Sequence, residues 1–238
     1  MTSARRVAAA TAFAAGAIAC VLALALTSGV AANAAEPNPP RDIPIGKLPA
    51  ACSSDGRGSV CEHAALHALD HARETLRLGP YRVPSGFTRM PPSHQWLILA
   101  NLDRDAYRLP RIAGIATALN AIARSGAQAR MDPNPWPLLQ SLQGQTEIGF
   151  GSNWAGGQPD GLVAYFGWMY DDGFGGENVD CPTATAAGCW GHRQNILSFA
   201  NAPVLTMGAA AIPATASYAL TIVVTSTAPW PLAYRAPA

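Results

Sequence analysis

Four cysteines, three evenly spaced histidines and one oxygen-rich stretch are the residues whose types and spacing first suggest chemistry. Cys52, Cys61, Cys181 and Cys189 stand in two close pairs. Thiols spaced in this way form disulfides in an oxidising compartment. Four cysteines allow three connectivities, and the local pairing Cys52–Cys61 and Cys181–Cys189 is the one that needs no long-range geometry. A loop of about ten residues closed in this way contributes roughly 2.5–3 kcal/mol by restricting the unfolded chain. The spacings are not C-x-x-C, so zinc on these thiols is not expected. His63, His67 and His71 recur every four residues. A helix would stack them on one face, and an i, i+4 imidazole pair is a metal-binding geometry. Glu62, Asp70 and Glu74 are interspersed, so the stretch reads as an ordinary polar helix face. Asp171, Asp172, Glu177, Asn178 and Asp180 gather oxygens in a Gly-rich segment. Calcium favours such ligands, but the spacing is not that of an EF-hand, and loops are polar in any case. No cofactor is expected from these patterns, with a divalent metal ion as the alternative.

The elements that must position these groups follow from periodicity. Residues 61–78 carry apolar side chains at Ala65, Leu66, Leu69, Ala72 and Leu76, which is helical spacing. Gly79-Pro80 ends that helix. Ser93 reads as the N-cap of a second helix over 94–107. A third helix is expected over 115–131, stopped at Asp132-Pro133. A fourth runs from 159 or 160 to 170. Residues 191–197 read as a turn followed by a short strand. Strands are expected over 204–212 and 218–225, the latter rich in β-branched residues. Helices first and strands late imply an α+β layered fold rather than a βαβ array.

The 238 residues suit one domain preceded by an export segment. Arg5 and Arg6 begin a short positive region, an uncharged Ala-rich run follows, and Ala32-Asn33-Ala34 has the small residues that signal peptidase reads. Residues 1–35 are therefore expected to be a signal peptide, leaving no stable membrane span after cleavage. A retained anchor is the alternative, because the run is long enough to cross a bilayer. Residues 36–92 form a Pro-rich arm and a helical N-terminal extension, and 93–230 the main domain. Loss of Arg5 and Arg6 takes the formal charge from +1 to −1. That balance argues against nucleic acid or an anionic membrane surface as a partner.

The order of motifs resembles the CAP superfamily (cysteine-rich secretory proteins, antigen 5 and pathogenesis-related 1, or SCP-like extracellular domains), in its bacterial secreted branch. The motifs are Asn101-Leu102-Asp103-Arg104 followed by Arg108-Leu109-Pro110, then Gly151-Ser152-Asn153, then Trp168-Met169-Tyr170-Asp171. Gly191-His192-Arg193-Gln194-Asn195-Ile196-Leu197 and Met207-Gly208-Ala209 complete the set. The match covers about residues 93–228. It implies a three-layer α-β-α sandwich around a central antiparallel sheet.

The resemblance also implies an open cleft where many family members gather two histidines and two glutamates. Here His192 is kept, Asp171 stands for one glutamate and Ser152 for the other. The first histidine is missing, with Met131 and Asp132 in that region. The two-imidazole metal grip is thus lost. Asp171 is expected to orient His192, and Ser152, if in reach, would complete a nucleophilic triad. Asp132, Asn153, Trp154, Trp190 and Arg193 are expected to line the cleft. The expected function is a secreted, non-catalytic binding module for a cell-envelope, lipid or protein ligand. The alternatives are an extracellular hydrolase of peptide, ester or cell-wall bonds using His192 and Asp171, with or without Ser152, and a metal-dependent role for His192, Asp171 and Asp132.

Overall fold

Apolar residues at helical spacing build the first element, and its polar face is left to solvent. In the computed structural model, α1 (Ser59–Thr75) buries Cys61, Ala65, Leu69 and Ala72. The structure describes residues 38–50, 52, 59–142, 144–145, 148–172 and 180–237; the expected signal peptide lies outside them. α2 (Pro92–Ala106) starts on a proline, whose missing N–H costs nothing at a first helical turn. Here the structure differs from the expected Ser93 cap: Pro91 occupies the N-cap position. A short strand, β1 (Gly114–Ala116), precedes α3 (Thr117–Ala129) and the single turn α4 (Trp136–Leu139).

Strand β2 (Ile148–Gly156) follows, and the sequence patterns did not reveal it. α5 (Gly161–Tyr170) is capped by Asp160, whose side chain accepts the Leu162 N–H at 2.7 Å. The segment expected to be a turn and strand is instead a helix, α6 (Gly191–Leu197). β3 (Val204–Ile212), β4 (Ser217–Thr225) and β5 (Leu232–Arg235) complete the chain. Among the described residues no helix is long and apolar enough to cross a membrane.

The five strands form one sheet in the order β2-β4-β3-β1-β5. The pairs β2·β4, β3·β4 and β1·β5 are antiparallel, whereas β1 runs parallel to β3. The sheet is therefore mixed. β4 is buried along its whole length. Its Tyr218, Leu220, Ile222 and Val224 enter the large core with α1, α2, α5 and α6 residues. Its alternate residues face α3 and α4, where Ala219 meets Ala123 and Ala127, and Val223 meets Leu119 and Leu139. Helices thus cover both faces, giving a three-layer α-β-α sandwich. α3 lies so close to β3 that a Cβ on Gly208 would come within 2.2 Å of the Leu119 backbone.

The large core hides a charged hub. Asp103, fully buried on α2, pairs with Arg73 of α1. Its carboxylate also accepts the hydroxyls of Tyr81 and Tyr165 at 2.7 Å each, and that of Tyr170 at 3.2 Å. Burial pushes all three phenols well above their usual range. Residues before position 92 are thereby packed into the same core as α2 and α5. Both local disulfides, Cys52–Cys61 and Cys181–Cys189, are formed.

Candidate functional site

His192 sits in the first turn of α6, and main-chain contacts fix that helix. Arg104 of α2 donates from Nε to the Pro110 carbonyl at 2.6 Å and from Nη1 to the carbonyls of Ile196 and Ser198 at 2.7 and 2.8 Å. Arg193, 1% exposed, donates to the Met169 carbonyl at 2.9 Å and the Tyr107 hydroxyl at 2.7 Å. Asn195 donates to the Ser152 carbonyl at 2.8 Å and to Asn153 Oδ1 at 2.9 Å. Asn153 in turn donates to the His192 carbonyl at 2.9 Å. The helix can lie this close because residue 151 is glycine: a Cβ there would sit 2.7 Å from Asn195 Cβ. Trp190 enters α6 with φ of 65°, a left-handed conformation uncommon for a bulky residue. Its indole N–H is held by the Thr183 carbonyl at 3.1 Å, within the loop that the Cys181–Cys189 bridge closes.

The carboxylate that holds His192 is Asp172, which pairs with its Nδ1. Sequence reasoning assigned that part to Asp171, one residue earlier. α5 ends at Tyr170, and beyond a helix end periodicity no longer tells which of two adjacent aspartates turns inward. Burial of the imidazole opposes its charged form, but the bond to Asp172 and the nearby Asp172 and Asp132 charges outweigh this, so its pKa is raised. Asp132 follows α3 and takes the Trp154 backbone N–H at the free edge of β2. Surrounding protein raises its pKa, although His192 and that N–H favour the charged form.

Asp171 takes no part in the imidazole pair. It is half-buried among the carboxylates of Asp42, Asp180 and Asp172, and burial first, then these neighbours, push it up to about 6. The N-terminal arm lies against this group: Asp42 exchanges hydrogen bonds with Cys181, its N–H donating to the Cys181 carbonyl at 2.9 Å and its carboxylate accepting the Cys181 N–H at 2.5 Å. Glu177 and Asn178, read with the oxygen-rich stretch, lie outside the described residues. Among the described residues, no group of three His, Cys, Asp or Glu side chains is arranged to hold a metal ion.

Ser152 lies on the other face of the sheet. Its hydroxyl donates to Thr221 Oγ1 at 2.8 Å, directly across the β2·β4 ladder. That face also carries Trp154, whose indole donates to Ser217 Oγ at 2.9 Å beneath α3. α6 and His192 cover the opposite face, over Gly151 and Asn153. Ser152 and His192 are therefore separated by the sheet, and no Ser-His-Asp arrangement forms. Of the residues expected to line a cleft, Asp132 is exposed and Trp154 half-buried, while Asn153, Trp190 and Arg193 are buried and anchor α6 instead. For Asn153 and Arg193 the sequence holds no sign of this, because side chains that bond to backbone cannot be told there from side chains that bond to ligands.

Neither a family model nor a curated protein matches the sequence. Among solved structures, the chain is similar to an extracellular protein containing an SCP domain from Bacillus anthracis str. Ames, at 18% identity and a TM-score of 0.36. The likeness covers 56% of this chain and 40% of that one, less than half of that protein's length.

Proposed function

We propose that the chain is an exported CAP/SCP-like domain that binds a hydroxyl-rich ligand of the cell envelope at His192, without catalysing its breakdown. The motif order over residues 93–228 supports the kinship, and the two short disulfide loops support an oxidising destination. One observation carries the binding reading. The imidazole is held by Asp172 and faced by Asp132 at a free sheet edge, while the serine a triad would need is bonded to Thr221 on the other side. An imidazole flanked by carboxylates offers donors and acceptors together, and glycan hydroxyls can satisfy both.

The oriented His192–Asp172 pair favours a second reading, a hydrolase that uses the imidazole as general base on water. Binding of the oxidised protein to isolated cell-wall glycan, to lipid vesicles and to envelope protein separates these readings. The expected result is retention on the glycan, weakened by His192→Ala and Asp172→Asn and unaffected by Ser152→Ala. Retention that ignores both substitutions at the pair overturns the site. Turnover of ester or peptide probes that vanishes in His192→Ala establishes the hydrolase instead.

A further inference from the structure

Helix α1 presents a second constellation, distant in the sequence from the His192 site. His63, His67 and His71 are all exposed, on the face opposite the buried Cys61, Ala65, Leu69 and Ala72. The helix is continuous from Ser59 to Thr75, so the regular four-residue spacing puts successive Cβ atoms about 5–6 Å apart along one face. Two imidazoles so placed can direct ring nitrogens to one ion, which zinc binds at about 2.0–2.1 Å.

The His67–His71 pair has supporting features that the upper pair lacks. His71 Nδ1 lies 3.9 Å from Glu74 Oε2. Glu74 is thus a carboxylate near the ring, placed to move in and accept the Nδ1–H while Nε2 binds a metal. Both histidines open onto a hollow bounded also by Asp70, Glu74, Arg77 and Pro80. Asp70 fixes its floor by accepting the Tyr81 N–H at 2.7 Å. Arg77 is the one opposing charge in that set, against the two carboxylates.

We propose that His67 and His71 chelate one divalent transition-metal ion of the zinc, copper or nickel class, with water completing the coordination. Imidazole ligands select these metals over calcium and magnesium. Only two protein ligands grip the ion, in keeping with the absence of any three-residue metal group among the described residues. The site is therefore an open and exchangeable one, in contrast to a structural zinc centre.

Calorimetric titration of the full oxidised chain with zinc chloride tests this, with circular dichroism confirming that each variant keeps its helix content. One equivalent of zinc is expected to bind the unsubstituted chain. His67→Ala breaks both overlapping i, i+4 pairs and should weaken binding on the order of tenfold or more, since even loss of an outer partner costs that much. His71→Ala should weaken it as well, and Glu74→Gln less so. His192→Ala should bind as the unsubstituted chain does. Absence of zinc binding, full affinity in His67→Ala or His71→Ala, or its loss in His192→Ala would each overturn the assignment.

Discussion

Nδ1 of His192 is bonded to the carboxylate of Asp172, and the two residues reach each other from the start of one short helix and the end of another. The bond raises the imidazole pKa above its usual 6.5. A raised imidazole adds stability that is complete below the unfolded value and is lost as pH climbs through the folded one. The stability advantage of the unsubstituted chain over Asp172→Asn should therefore be full between about pH 5 and 6.5 and shrink above neutrality. Urea midpoints measured across that range check this, and an advantage that grows with pH would contradict it.

A slope of the same sign, in a more acidic window, belongs to Asp171. Its carboxyl is raised from 3.8 to about 6 by burial and by Asp42, Asp180 and Asp172. The folded chain holds the proton more tightly than the unfolded one, so this group's contribution falls as pH rises from 3.8 through about 6. Asp171→Asn should raise the denaturation midpoint above pH 6 and change little at pH 4. Urea titrations at both values decide it.

Arg73 and Asp103 form a buried pair between α1 and α2. Arg73→Ala would strand the Asp103 charge among three tyrosines and should cost about 3–5 kcal/mol. Chemical denaturation measures the loss. A cost below about 1 kcal/mol, the scale of a surface pair, would mean that α1 is not integral to the core.

Ser152→Ala removes the hydroxyl bonded to Thr221 and should cost about 1 kcal/mol. Because the sheet lies between residue 152 and His192, the NMR titration of the His192 ring should stay where it was. A displaced titration would reinstate the serine as a neighbour of the imidazole.

Opening Cys181–Cys189 frees the loop that holds the Trp190 indole. Cys181→Ser with Cys189→Ser should lower stability by about 2.5–3 kcal/mol. The His192 ring signal should broaden with it, since Trp190 leads directly into α6.

The parts legible in sequence were those with strong periodicity. β4 was readable because Tyr-Ala-Leu-Thr-Ile-Val-Val-Thr is β-branched and apolar on both faces, as a central strand must be. β2 was not, since Ile-Gly-Phe-Gly-Ser-Asn-Trp-Ala-Gly is weakened by glycines. Gly151 answers to a tertiary demand, the close approach of α6, which no local pattern records. α6 itself was read as a turn and a short strand because seven residues are too few to show a helical period, and its entry through a left-handed Trp190 gives no capping signal. His192 and Asp132 were singled out through the motif resemblance, the first as the kept histidine and the second beside the place of the missing one. Asp172 was missed by one residue, and the buried roles of Asn153 and Arg193 depend on carbonyl partners far along the chain.

Arg104 and Arg193 grip α6 almost wholly through carbonyl oxygens. Peptide oxygens are the same whatever residue bears them. Solvent-facing positions around the imidazole, such as Gln194 beside it, can therefore be exchanged freely while the ring stays in register. The scaffold fixes where the histidine stands and leaves the side chains around it free to vary.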